Sequence, residues 1–110
     1  MLNLIDKVRG WAYERNLIFG STPEKQLEKT AAELIELTIE VAKEGFDHLT
    51  PVDVRSGRIA SELGDVLVTL IIVAEQLGLE MEDCLSVAYE KIKDRKGVMR
   101  NGIFYKEADL

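Results

Sequence analysis

Apolar residues recur at three- and four-residue intervals through most of this chain, a pattern that predicts four helices followed by a short ribbon. In the first segment, Leu2 to Asn16, the residues Ile5, Val8, Trp11 and Ala12 share one side of a helix. Ser21-Thr22-Pro23-Glu24 is a start signal: Thr22 caps, Pro23 suits the first helical position, and Glu24 favours the positive end of the dipole. The second helix is expected to run to about Glu44, where Gly45 stops it. Between Gly45 and Gly57 the Gly, Asp, Thr, Pro and Ser residues mark a connection, within which Thr50-Pro51 is a competing helix start. A third helix is expected from about Arg55 to Leu77, ended by Gly78, and a fourth from about Met81 to Lys96, ended by Gly97. Asn101-Gly102, set between Val98-Met99-Arg100 and Ile103-Phe104-Tyr105, is a strong hairpin signal. No repeat, low-complexity segment or long linker divides the chain. Its 110 residues therefore read as one all-α domain, 1–110, a four-helix bundle closed by a hairpin or extended tail.

Projection at about 100° per residue separates the faces of each helix. The third is apolar over more than half its circumference, through Ile59, Leu63, Val66, Leu67, Leu70, Ile71, Val73, Ala74 and Leu77. Its polar seam is narrow: Arg58, Glu62, Asp65, Thr69 and Gln76. A helix so apolar is normally buried, and buried carboxylates cost several kcal/mol each unless paired, protonated or metal-bound. Gly64, between the two acids, costs about 1 kcal/mol relative to Ala in mid-helix and lets a backbone or ligand come close. The second helix has Leu27, Ala31, Leu34, Ile35, Thr38 and Val41 on one side, with Lys29, Glu33, Glu36, Glu40 and Lys43 on the other. Taken by itself, that charged side reads as solvated. On the fourth helix Met81, Cys84, Leu85, Ala88 and Ile92 form an apolar stripe, bordered one turn apart by Lys91 and Arg95. Those cations either snorkel along the stripe or reach inward to clamp phosphate.

The acids form two spaced pairs, Glu33 with Glu36 as ExxE and Glu62 with Asp65 as ExxD. Residues three apart on a helix present their side chains to one point, so two such helices face to face hold four carboxylates. That is a cage for a hard divalent cation such as Mg²⁺, which proteins commonly share with the phosphates of a substrate. The competing structural reading is a surface groove, or an ion pair of Arg58 with Glu62. A di-iron carboxylate bundle needs Glu-x-x-His pairs, whereas the lone His48 has Gly45 three residues before it. Ser and Cys nucleophile schemes lack a placed histidine base, and no glycine-rich phosphate loop is present.

Charge narrows the partners further. Twenty acidic against 14 basic residues give a net charge of −6, which repels a nucleic-acid backbone. Cys84 has no second cysteine to pair with, and its apolar position suggests packing. MLNLIDKVRGW lacks the apolar core of a signal peptide, and the run Val66 to Ala74 is too short to cross a bilayer. These features lead us to expect a cytoplasmic protein with no membrane partner. A helical chain of this size with surplus apolar faces gains stability by self-association.

Taken together, WAYERNLI, QLEKTAAELIEL with ExxE, SELGDVLVTLIIVAEQLGL with ExxD, and the closing YEKIKDRKGVMRNGIFYKEADL resemble the MazG-like nucleoside triphosphate pyrophosphohydrolases, in particular the short phage-type proteins. The resemblance covers nearly the whole chain. It implies an all-α fold and hydrolysis of an NTP or dNTP between the α and β phosphates, giving the monophosphate and pyrophosphate. It also implies Mg²⁺, with Mn²⁺ as a substitute, held by Glu33, Glu36, Glu62 and Asp65, with Glu36 and Glu33 as catalytic candidates. Lys91 and Arg95 match basic positions of the family, and Lys29 and Lys106 are further phosphate candidates. Trp11 and Tyr13 are candidates to stack on the base, although Trp11 also suits a core position. The chain departs from many members at Ala32, where they carry an additional Glu, which leaves the number of metal ions open. Members form dimers or dimers of dimers with active sites beside the interface, so a homodimer or homotetramer is expected. The alternative is a noncatalytic helical oligomer that binds nucleotide or metal.

Overall fold

A computed structural model describes residues 2–45 and 49–110. The order of elements is α1 (Leu4–Glu14), α2 (Pro23–Lys43), α3 (Val52–Gln76), α4 (Met81–Ile92), β1 (Gly97–Arg100) and β2 (Ile103–Lys106), closed by a 3₁₀ turn at Glu107–Asp109. The fold is all-α apart from this small hairpin, as the periodicity predicts. Two compact units divide at residues 79 and 80, the first holding α1 to α3 and the second holding α4 and the hairpin.

Local chemistry explains most helix ends. Asn3 caps α1 by accepting from the Asp6 amide at 2.9 Å, and Thr22 caps α2 by accepting from the Lys25 amide at 3.2 Å. Pro23 occupies the first turn of α2 as expected. The start of α3 falls three residues before Arg55, because Pro51 itself forms the helix boundary. Extra turns are then held by Arg55, which donates to the Thr50 carbonyl at 3.1 Å and pairs with Glu44 at 3.0 Å.

α2 lies against α3, and here the structure corrects the sequence reading. The inward positions of α2 are Gln26, Thr30, Glu33, Leu37 and Glu40, a regular three-four repeat in which Thr30 and Glu33 are buried. The face expected to pack, Leu27, Leu34, Ile35 and Val41, is about half exposed or more. Hydropathy alone favoured the wrong side, because the polar residues are the ones that interlock with α3. The two helices are joined by a buried hydroxyl bond, Thr30 Oγ1 to Thr69 Oγ1 at 2.7 Å. The apolar bulk of α3 does form the core through Val66, Ile71, Ile72, Val73 and Ala74, joined by Ala12 of α1 and by Ile18. Leu63, Leu67 and Leu77 remain about half exposed.

α1 is fixed to α3 by Glu75, which accepts from Tyr13 Oη at 2.6 Å and pairs with Arg9 Nε at 3.1 Å. The bend after α1 has Asn16 at φ 57° and is held by Gln76, whose Nε2 donates to the Leu17 carbonyl at 3.2 Å.

In the second unit α4 ends at Ile92, earlier than the expected Lys96. Gly97 is therefore not a helix stop; it opens β1, where a Cβ would run into the Tyr105 carbonyl and the Phe104 ring. Asn101 and Gly102 both have positive φ, 51° and 80°, which is the two-residue turn their sequence predicts. Val98 pairs with Tyr105 and Met99 with Phe104 across the ribbon. Cys84 is exposed, so the packing role expected of it is not met within the chain.

Candidate metal centre and adjoining cavity

The seam between α2 and α3 brings carboxylates together. One donor oxygen each from Glu33, Glu62 and Asp65 lies within 4.8 Å of the others. Glu33 is buried, Glu62 half-buried and Asp65 exposed, so the group runs from the helix interface out to solvent. Oε2 of Glu33 and Oε2 of Glu62 are buried with no hydrogen-bond partner. Burial raises the Glu62 carboxyl above its ordinary value, and the charges of Glu36, Asp65 and Glu33 and a hydrogen bond with Glu36 add to the rise. Glu36 itself is exposed and stands beside Glu62, outside the 4.8 Å group.

Helix spacing supplies this arrangement. Glu33 sits on the inward three-four repeat of α2, and Glu62 occupies the facing position on α3, with Asp65 three residues on. Glu33, on the side of α2 that reads as solvated only when taken by itself, has a relative exposure of 8%. Lys29, one turn earlier, pairs with Glu33 Oε1 at 3.0 Å. That bond with Glu33 raises the Lys29 pKa, helped by the charges of Glu33, Glu36 and Asp65.

The group opens into a cavity of about 430 Å³ lined by Glu33, Asp65 and Lys29 at one end and by Trp11, Leu17, Gln26, Val68 and Ile72 elsewhere. Trp11 is 43% exposed, and the Arg15 guanidinium lies 4.7 Å from its ring centroid. It is thus a cavity wall and not the core residue that its place on the apolar stripe also suited. Tyr13 is engaged by Glu75 and lies against Phe19 at 5.9 Å between centroids. Around Gly64 the space is open, with no atom beyond its chain neighbours and its own helix backbone within 4 Å of a Cβ built there.

The remaining basic candidates belong to the second unit. Lys91 is exposed near the end of α4, and Arg95 lies beyond it, so the expected pairing of the two along one helix face is not formed. Arg95 and Lys106 instead border a separate cavity of about 670 Å³ with Asp94, Lys96 and Glu107. Lys106 Nζ is 3.8 Å from Asp109. His48, the histidine a di-iron site would need, lies outside the described residues.

A family model of the MazG nucleotide pyrophosphohydrolase domain matches residues 21–99, which include both carboxylate pairs. The chain belongs to that family. A protein of Haemophilus phage HP1, described as an uncharacterized 18.2 kDa protein in the rep-hol intergenic region, is 37% identical over 73 residues. That alignment covers 66% of this chain and 39% of the phage protein. No solved structure matches. Among the described residues, no helix is long and apolar enough to cross a membrane.

Sequence reasoning did not single out Gln26 or Thr30. Their signal lies in the three-four repeat they form with Glu33, Leu37 and Glu40, a mostly polar repeat that hydropathy does not mark.

Proposed function

We propose that this MazG-family chain is a Mg²⁺-dependent pyrophosphohydrolase that cleaves an NTP or dNTP to its monophosphate and pyrophosphate. The observation that carries the proposal is the pair of unpartnered, buried carboxylate oxygens on Glu33 and Glu62, gathered with Asp65 at the mouth of a cavity. Buried oxygens without donors are expensive unless a cation completes them. An all-oxygen set suits a hard ion, and a 4.8 Å spread needs only slight closure toward Mg–O distances of about 2.1 Å. The residues present therefore fit a divalent ion.

Glu33, Glu62 and Asp65 would hold that ion, with Glu36 as the fourth ligand or its exposed neighbour. Bound there, Mg²⁺, or Mn²⁺ in its place, neutralises phosphate charge and lowers the pKa of an attacking water. Glu36, at the solvent edge beside Glu62, takes the proton from that water as the α–β anhydride breaks and pyrophosphate leaves. Glu33 is fixed by burial and by Lys29, which keeps one carboxylate oxygen oriented into the group. Lys29, which also lines the cavity, would offer its charge to phosphate there. Trp11 offers an aromatic wall for the base. Lys91, Arg95 and Lys106 are proposed as further phosphate-binding residues.

The exposed stripe of Leu27, Leu34, Ile35 and Val41 supports assembly as a homodimer or homotetramer, since a soluble monomer gains nothing by wetting it. The decisive experiment incubates the protein with a panel of canonical and modified nucleotides and Mg²⁺ and measures pyrophosphate. Glu36→Gln and Asp65→Asn should each abolish release while leaving the circular dichroism spectrum unchanged. Undiminished turnover in both would sink the site assignment. Binding of nucleotide or Mg²⁺ without any pyrophosphate would identify a noncatalytic helical binding module.

A further inference from the structure

We infer that Lys7 of α1 is a phosphate-binding residue of the carboxylate centre, taking a polyphosphate oxygen from the α1 side while Lys29 stands on the α2 side. The inference rests on the pyrophosphohydrolase reading for its ligand and adds a residue that neither motif spacing nor family resemblance singles out.

α1 carries Leu4, Lys7, Val8 and Trp11 on one face, at the intervals of three and four that bring helical side chains together. With Asp65 and Val68 of α3, these residues line a second cavity of about 350 Å³. It adjoins the first, since Trp11, Asp65 and Val68 border both. Asp65, the exposed member of the carboxylate group, is thus shared by the cavity that Lys29 lines and the cavity that Lys7 lines.

An exposed lysine is usually only solvated, but the surroundings of Lys7 are unusual. Its ammonium has no partner among the described residues. The positions three and four residues away on α1 are Asn3, Leu4, Gly10 and Trp11, so no acid meets it along the helix, and the adjacent Asp6 is held by Arg9 at 3.0 Å. Lys29 is already paired with Glu33 at 3.0 Å. Of the two cations that line these cavities, Lys7 is therefore the uncommitted one. Glu33, Glu36, Glu62 and Asp65 outnumber Lys29, so this group stays negative even with one divalent ion bound. A polyphosphate drawn to that ion is also repelled by the carboxylates around it. Asp65 lies on their solvent side, and the space beside it is where phosphate oxygens in excess of the ion's coordination need a counter-charge. An ammonium there supplies a charge-assisted hydrogen bond, roughly twice as strong as a neutral one.

Calorimetry with inorganic tripolyphosphate in excess Mg²⁺ isolates the phosphate end, because this probe has neither base nor sugar. Lys7→Gln should weaken its binding about tenfold, and Lys7→Arg should keep it within about twofold of the parent. Mg²⁺ alone should bind Lys7→Gln as tightly as the parent or tighter, since a like charge beside the ion has been removed. The two titrations therefore move apart, which a loss of α1 packing would not produce. Lys25→Gln controls for net charge: that exposed lysine of α2 lines neither cavity and should change neither titration. Parent affinity for tripolyphosphate in Lys7→Gln, parallel losses of tripolyphosphate and Mg²⁺, an equal loss in Lys25→Gln, or no tripolyphosphate binding by the parent would overturn the inference. A protein that releases pyrophosphate with Lys7 indifferent loses only this residue. One that binds tripolyphosphate through Lys7 and hydrolyses no nucleotide loses only the hydrolase reading.

Discussion

Thr30 Oγ1 on α2 lies 2.7 Å from Thr69 Oγ1 on α3, and one turn along each helix in the same direction stand Glu33 and Asp65. The hydroxyl pair is buried, so it fixes the sliding register of the two helices next to the carboxylates that register brings together. Thr69→Val keeps the shape and removes the bond. The Thr30 hydroxyl retains the Gln26 carbonyl at 2.9 Å, so the stability loss should stay near 1 kcal/mol in urea denaturation. Mg²⁺ affinity should fall more sharply, by about tenfold, as expected when a supporting contact behind ligands is lost. Thr69→Ser should restore it; if calorimetry finds Mg²⁺ affinity unchanged in Thr69→Val, the pair has no role in positioning the carboxylates.

Glu62 gives the metal-free protein a defined pH dependence. Burial, then the charges of Glu36, Asp65 and Glu33, lift its carboxyl above the ordinary 4.5, so the folded state binds a proton that the unfolded chain has released. Stability is then greatest below the ordinary value and is lost as pH rises through the lifted one. In chelator, the melting temperature should therefore fall as pH rises from about 4.5 toward neutrality, and Glu62→Gln should flatten the curve over that window. Mg²⁺ at neutral pH should restore the melting temperature of the parent but not of the variant. A parent that gains stability with pH over this window would contradict the burial of this group.

Gln76 carries a different burden. Its amide donates to the Leu17 carbonyl at 3.2 Å and lies 3.5 Å from that of Ile18, while its Oε1 is buried without a partner. Gln76→Met removes both the bonds and the orphan, and should cost no more than about 1 kcal/mol. Gln76→Glu places a carboxylate against two carbonyl oxygens, and should cost about 3 kcal/mol at neutral pH. Urea unfolding at pH 7 ranks the two variants; the reverse order would show that the bend after α1 is not held from α3.

How far the sequence disclosed this molecule depended on which interaction dominated each element. Caps and turns were legible because their chemistry is local: Thr22-Pro23 starts α2 and Asn101-Gly102 turns the hairpin as their residue types require. The carboxylate group was legible because Glu62 and Asp65 occupy the polar seam of an apolar helix, which few other arrangements explain. The inward face of α2 was not legible. Its choice depends on a long-range hydroxyl bond and on an apolar stripe that stays uncovered, neither of which hydropathy along one helix can register. The early end of α4 was also missed, because Gly97 reads as a helix stop unless the cross-strand position opposite Lys106 is known.

Gly64 separates a vacancy in the fold from a place that is used. Beyond its chain neighbours and its own helix backbone nothing lies within 4 Å of a Cβ at this position, and Ala is better than Gly inside a helix by about 1 kcal/mol. Gly64→Ala should therefore stabilise the monomeric, metal-free protein by about that amount. Because Gly64 adjoins Glu62, Leu63 and Asp65, the same methyl group should slow pyrophosphate release if substrate or a second subunit approaches there. Higher stability with full turnover would leave the glycine without a functional reason.

The uncovered side of α2 yields the last prediction. Leu34 is 48% exposed and Ile35 62%, and both lie on the helix that supplies Glu33, on the side away from α3. Fully burying a Leu or Ile side chain stabilises by about 1.5–3 kcal/mol, so covering several at once across a two-fold axis provides most of what a stable homodimer requires. Leu34→Glu combined with Ile35→Glu would place two charges per subunit in such an interface, and four around the axis. Light scattering should then report the monomer mass, against a dimer or tetramer for the parent. Since these positions do not face α3, the isolated domain should keep its helical circular dichroism. The three gathered carboxylates come from one chain, so Mg²⁺ binding should persist in the monomer even if turnover does not. A double variant with the parent's mass would show that the stripe is not the contact, whereas a parent that is itself monomeric would remove self-association from the proposed function.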